Sequence, residues 1–165
     1  MKTITGVLVL LFALSTTAQT PNPATDVSAA DIQAFLKALP RDEVSDKAIR
    51  VVDVGGYRVG VYGVYRPKTA VQEAILHETS VTEVYQMLDG AGTLVTGGNL
   101  VDTWRDPAVK NSVKGKRIEG GVSRRMVKGD VVIIPGRLPH WWSNLEGDIT
   151  YLIIRPDPAG KLALK

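Results

Sequence analysis

From residue 49 onward the chain runs in short segments of alternating apolar and polar residues, and this texture restricts its fold more than any other feature. In "IRVVDVGGYRVGVYGVYRP", Tyr57, Val59, Val61, Gly63 and Tyr65 alternate with Arg58, Gly60, Tyr62, Val64 and Arg66. Period two predicts a strand pair or one long bent strand. "AVQEAILHE" alternates again, with Val71, Ile75 and His77 on one face. "AGTLVTGG" reads as a short strand, "VVIIP" as a buried one and "DITYLIIRP" as another, with Gly, Pro, Asn and Asp between them. Closely spaced strands of this kind predict an all-β antiparallel sandwich or barrel, not an alternation of strands and helices.

One short helix is expected ahead of the strands. Ser28 is a good N-cap with Asp31 three residues on, and Ile32, Phe35, Leu36 and Leu39 form an apolar stripe that Pro40 ends. The polar "RDEVSDK" that follows reads as a connector. At the start of the chain, Met1-Lys2 and then "ITGVLVLLFALSTTA" have the pattern of a secretory signal peptide, with cleavage after Ala18. The apolar run is short for a membrane span and breaks into Ser-Thr-Thr. The expected organisation is a signal peptide over 1–18, a leader and helix over 19–48, the β-barrel domain over 49–158 and a tail over 159–165. Export to a periplasm or extracellular space follows, with no membrane association once the signal is removed.

Composition removes several chemistries. The sequence has no cysteine, so disulfides, thiolate nucleophiles and zinc–thiolate sites are excluded. Net charge is +3, and the two basic clusters, at 114–117 and 124–128, read as solvated faces, so no nucleic-acid partner is expected. No phosphate loop, dinucleotide fingerprint or nucleophile elbow is present. The segment 99–116, with Trp104 in a polar setting, reads as a strand and then a long loop, a candidate lid or dimer contact.

The stretch "HETSVTEVYQMLDG" (77–90) has two readings. Ser80 to Glu83 matches a helix capping box, with Val81, Val84 and Leu88 at helical spacing. The alternative is a strand that carries Glu83, Tyr85 and Met87 on one face. The strand reading is preferred because the surroundings are rich in strands.

The sequence has two histidines, His77 and His140. His140 lies in "GDVVIIPGRLPHWWSN", where Gly129, Pro135, His140 and Asn144 fit four of the five fixed positions of G-x5-P-x-G-x2-H-x3-N. Around His77, the pattern G-x5-H-x-H-x(3,4)-E-x6-G is met by His77, Glu83 and Gly90, with Val71 and Thr79 at its other two places. On these motifs the region from about 50 to about 155 resembles the cupin family. Arg137 stands where that family has glycine, with Gly136 one place earlier, and Thr79 stands where it has a second histidine.

The resemblance implies a cupin jelly-roll β-barrel that holds a divalent metal, such as iron, manganese, nickel or zinc, through His77, Glu83 and His140. It implies a metalloenzyme acting on a small organic molecule, of oxygenase, isomerase or lyase type, with Glu83 as a possible acid or base. Thr79, Tyr85, Arg137 and Trp142 are the candidate substrate-binding residues. Thr79 could hold a metal-bound water, Tyr85 could line the cavity, Arg137 could bind an anion at the barrel mouth and Trp142 could stack on a ring. Met87 reads as core, and Asn144 as a turn residue. The alternatives are a non-catalytic module for a small ligand or sugar, and a structural dimeric domain. Exposed strand edges and the long loop make a homodimer the expected assembly.

Overall fold

A computed structural model describes residues 24–165, so the expected signal peptide and its cleavage point after Ala18 lie outside the described residues. The helix forms where its cap and stripe place it, as α1 (Ala29–Lys37). Ser28 Oγ accepts from the Asp31 amide at 3.1 Å and donates to the Asp31 carboxylate at 2.7 Å. Leu36 and Leu39 are buried against Tyr65, with Ile32 and Phe35 beside them. This helix therefore caps the outside of a sheet, and its apolar stripe is what attaches it.

Twelve strands follow: β1 (Ser45–Asp53), β2 (Arg58–Arg66), β3 (Ala74–His77), β4 (Glu83–Asp89), β5 (Ala91–Thr96), β6 (Asn99–Val101), β7 (Ser112–Gly115), β8 (Arg117–Glu119), β9 (Val122–Val127), β10 (Val131–Ile134), β11 (His140–Leu145) and β12 (Ile149–Asp157). They form two five-stranded sheets in the orders β1-β2-β12-β4-β10 and β7-β3-β11-β5-β9, with β6 and β8 as a separate pair. Every pairing is antiparallel, and β2 beside β12 joins segments from opposite ends of the domain. The inward faces share a core around Tyr85, Met87, Leu94, Trp142, Tyr151 and Ile153.

Several expectations change. The connector "RDEVSDK" ends early, because Ser45, Asp46 and Lys47 already pair with Tyr65, Val64 and Gly63. The strand pair is resolved as β1 with β2, joined through Val54 to Tyr57. "VVIIP" is not buried on both faces: Val132 and Ile134 point inward, while Val131 and Ile133 are 59% and 66% exposed. The cause is position, since β10 is an edge strand whose outer face has no layer over it. The 99–116 segment is less open than a long loop. It holds β6 and β7, and Trp104 bridges to Lys114. Asn144 lies in β11 at a register shift, not in a turn.

The stretch 77–90 is a strand end, a bend and a strand. The capping box forms no helix, because pairing of β4 with β12 and β10 satisfies its backbone across the sheet. Gly90 closes β4 at φ +78, where any Cβ would collide with the Asp148 carbonyl oxygen. That position requires glycine. The basic clusters are interleaved with acids: Lys114 meets Glu73 and Asp106, Arg117 meets Asp102 and Glu119, and Arg125 meets Glu146.

Candidate metal centre

His77 ends β3, Glu83 opens β4 and His140 opens β11. Two consecutive strands and a third some sixty residues on thus bring their ends together. One ligand atom from each residue lies within 4.8 Å of the others. His77 Nε2 is 3.8 Å from Glu83 Oε1, and His140 Nε2 is 3.3 Å from Glu83 Oε2. The side chains of Glu83 and His140 are 4% and 6% exposed and that of His77 is 27% exposed, so the centre opens to solvent on the His77 side.

The far nitrogens of both rings are tied down. His140 Nδ1 donates to the Leu138 carbonyl at 3.0 Å. His77 Nδ1 is hydrogen-bonded to Ser112 Oγ at 2.8 Å. Both rings thus turn Nε2 toward the Glu83 carboxylate, at 3.8 Å for His77 and 3.3 Å for His140. Two imidazole nitrogens and one carboxylate oxygen, each oriented by an outer partner, form a donor set that fits a divalent transition metal. His77 is held neutral: burial lowers its pKa to about 4, against the opposing pull of Glu83.

Glu83 has two further partners that the sequence reading did not assign. Arg155, near the end of β12, donates from Nε to Glu83 Oε1 at 2.7 Å and brings Nη2 to 2.6 Å. It also grips Asp46 of β1 with Nη1 at 3.1 Å and Nη2 at 2.5 Å, and lies 4.2 Å from the centre of the Tyr62 ring. Tyr85 donates to Glu83 Oε2 at 3.0 Å. Burial alone would raise the Glu83 carboxyl, but Arg155, then His140 and His77, hold it well below the usual carboxylate range. Burial drives the Tyr85 hydroxyl well above its ordinary value, so it stays a neutral donor. Arg155 carried one signal in the sequence, an arginine inside the otherwise apolar "ITYLIIRP".

The other candidates are placed as follows. Tyr85 is at the centre, edge-on to the His140 ring at 6.1 Å. Thr79 lies in the bend between β3 and β4, outside any strand, with its carbonyl oxygen against Gly136. Arg137 is exposed in the turn between β10 and β11 at φ +64. Trp142 is 2% exposed and packs on Tyr151 at 5.8 Å, below the histidines in the core. The turn before His140 explains Gly136 and the motif's glycine position at 137. A Cβ on Gly136 would stand 2.7 Å from the Thr79 carbonyl oxygen, and Arg137 adopts the left-handed backbone that glycine takes most readily.

No family model and no curated protein matches the sequence. Among solved structures, the DMSP lyase DddQ from Ruegeria pomeroyi is 17% identical, across 92% of this chain and 83% of its own, at a TM-score of 0.50. A conserved protein of unknown function from Streptococcus pyogenes is 13% identical, across 87% and 100%, at 0.50. A cupin domain from Bordetella pertussis is 15% identical, across 73% and 99%, at 0.42. The two similarities at 0.50, taken with the two antiparallel five-stranded sheets, show the fold alone, the double-sheeted β-barrel that the cupin resemblance implies.

Proposed function

We propose that this protein binds a divalent metal through His77, His140 and Glu83 and acts as a metalloenzyme on a small organic molecule. The observation that carries this reading is the orientation of the two rings. Leu138 and Ser112 occupy both Nδ1 atoms, so both Nε2 atoms converge on Glu83. A metal bound there would supply Lewis acidity or oxygen activation. The chain's own groups do the rest. Ser112 and Leu138 hold the imidazole rings in place, and Arg155 and Tyr85 keep Glu83 ionised and immobile. A carboxyl held ionised can accept a proton but has none to give at neutral pH, so Glu83 serves as an anionic ligand and not as a general acid. Substrate would approach past His77, the exposed member of the set.

A second reading, a ligand-binding module without turnover, is supported by the commitment of the neighbouring groups. Tyr85 is bonded to Glu83, and Arg155 is shared between two carboxylates. Elemental analysis of the protein purified from Gln19 onward separates these readings from the absence of a site. About one equivalent of iron, manganese, nickel or zinc, lost in His77→Ala and His140→Ala, is expected. Below about a tenth of an equivalent after reconstitution, both metal readings fail. Metal-loaded protein that turns over none of a panel of small carbonyl, hydroxy-acid and aromatic compounds favours the binding module.

Export and self-association complete the proposal. Residues 1–18 direct export, and the secreted product is expected to begin at Gln19 by mass spectrometry. A homodimer is supported by the exposed Val131 and Ile133 on the edge strand β10. Light scattering that gives the mass of one chain would remove it.

A further inference from the structure

A cavity of about 620 Å³ lies between α1 and the ends of β4 and β12, and no residue of the metal centre lines it. A break in strand pairing shapes it. Tyr151 of β12 faces Met87 of β4, but the next residue back, Thr150, faces Asp89, so Leu88 has no partner on β12. An extra residue of this kind bends its strand. Leu88 and the buried Leu36 of α1 form the apolar wall of the cavity.

The rim is basic. Lys37 comes from the last turn of α1, Arg41 from the segment after it and Lys128 from the turn between β9 and β10, and all three are exposed. None has a carboxylate within ion-pair distance among the described residues. Two nearby acids are engaged elsewhere. Asp130, in the turn of Lys128, accepts from the Val127 amide at 2.9 Å, and Asp148 accepts from the Tyr65 hydroxyl at 2.6 Å and the Lys68 amide at 2.9 Å. Asp89 is the one acid among the described residues that line the cavity. Three cations against one carboxylate leave a surplus of two positive charges. Arg41 is also held in position: its Nη2 donates to the Leu36 carbonyl at 2.9 Å, and its guanidinium lies 4.3 Å from the centre of the Tyr65 ring. A fork fixed in this way loses little freedom when it binds an oxyanion.

We propose that this cavity is a second binding site, for a small organic phosphate monoester. Such a group carries a charge of about −1.5 to −2 at neutral pH, which matches the surplus on the rim. Its oxygens suit the guanidinium fork of Arg41, and its carbon portion lies against Leu36 and Leu88. The volume falls within the roughly 300–1,000 Å³ of small-molecule sites, more than a bare inorganic ion fills. A monocarboxylate would leave one positive charge unmatched. The site uses no metal and does not depend on the function proposed for the metal centre.

The test is calorimetry with phenyl phosphate, titrated at constant ionic strength into the full mature chain in chelator, which empties the metal centre. Saturable binding at one site is expected. Lys37→Gln and Lys128→Gln each remove an exposed charge and should weaken binding about two- to fivefold. Asp89→Asn removes the opposing charge and should tighten it by a similar factor, a gain that damage to the fold would not produce. Lys161→Gln, which neutralises an exposed cation outside the cavity, should leave it unchanged. Inorganic phosphate should bind more weakly, because it leaves the two leucines uncovered. The proposal is overturned by an absence of saturable binding, by equal affinity for inorganic phosphate, by an equal loss in Lys161→Gln, or by an affinity unchanged across Lys37→Gln, Lys128→Gln and Asp89→Asn.

Discussion

Replacing Arg155 with methionine removes the counter-ion that Glu83 and Asp46 share. The Arg155 and Glu83 side chains are 12% and 4% exposed, and the guanidinium lies 2.6 Å from Oε1. Solvent screens such a pair little, and breaking a buried pair from one side costs about 3–5 kcal/mol. Asp46 is 34% exposed and adds about 1 kcal/mol at most. The expected loss is therefore about 4 kcal/mol, roughly 12 °C in Tm at about 3 °C per kcal/mol for a domain of this size. Denaturant unfolding in chelator, which keeps metal binding out of the measurement, would determine it. The cycle closes with Glu83→Gln alone and with the double variant. Much of the Arg155→Met penalty comes from a stranded buried charge, so the double variant should recover about 3 kcal/mol relative to additivity. A coupling below about 1 kcal/mol, the level of an exposed pair, would refute the argument that this pair is desolvated.

Three further outcomes are expected. The folded pKa of His77, about 4, lies below its unfolded value of about 6.5, so the metal-free fold gains stability from the neutral ring above pH 6.5. That gain, about 3 kcal/mol, is lost as pH falls from 6.5 to 4, and His77→Gln should flatten the stability–pH profile across that window. Ser112→Ala removes the hydrogen-bond partner of His77 Nδ1 and should weaken metal binding about 10–100-fold by calorimetry while leaving the far-ultraviolet circular dichroism spectrum unchanged. An unaltered affinity would show that Ser112 does not orient the ring. Arg137→Gly relieves a left-handed backbone at an exposed turn and should raise stability by about 0.5–1 kcal/mol in chemical denaturation. A loss of stability there would mean that the arginine side chain has a partner.

How legible the centre was differs from residue to residue. His77, Glu83 and His140 could be read because they stand where the cupin resemblance puts metal ligands. Tyr85 followed from Glu83 by strand alternation. Thr79 follows the end of β3 at His77, where the chain bends, so strand alternation does not place residue 79. Arg137 was read from its charge, and its left-handed backbone sets it in the turn before β11. Arg155 and Asp46 were missed because nothing local marks them: they lie 109 positions apart and meet across β1, β2 and β12.

By itself the sequence determined the strand texture and the capped helix, because each depends on side-chain period or on a backbone that tolerates few residues, while the cupin resemblance marked the two histidines with their glutamate. Only the tertiary structure decided which charges are paired and which are not. Arg155 is neutralised by two carboxylates, while Arg66, equally arginine and equally flanked by apolar residues in the chain, faces a phenol and an amide. Ion pairing is set by cross-strand register between distant segments, and a register is a property of the folded sheet that no short stretch of sequence contains.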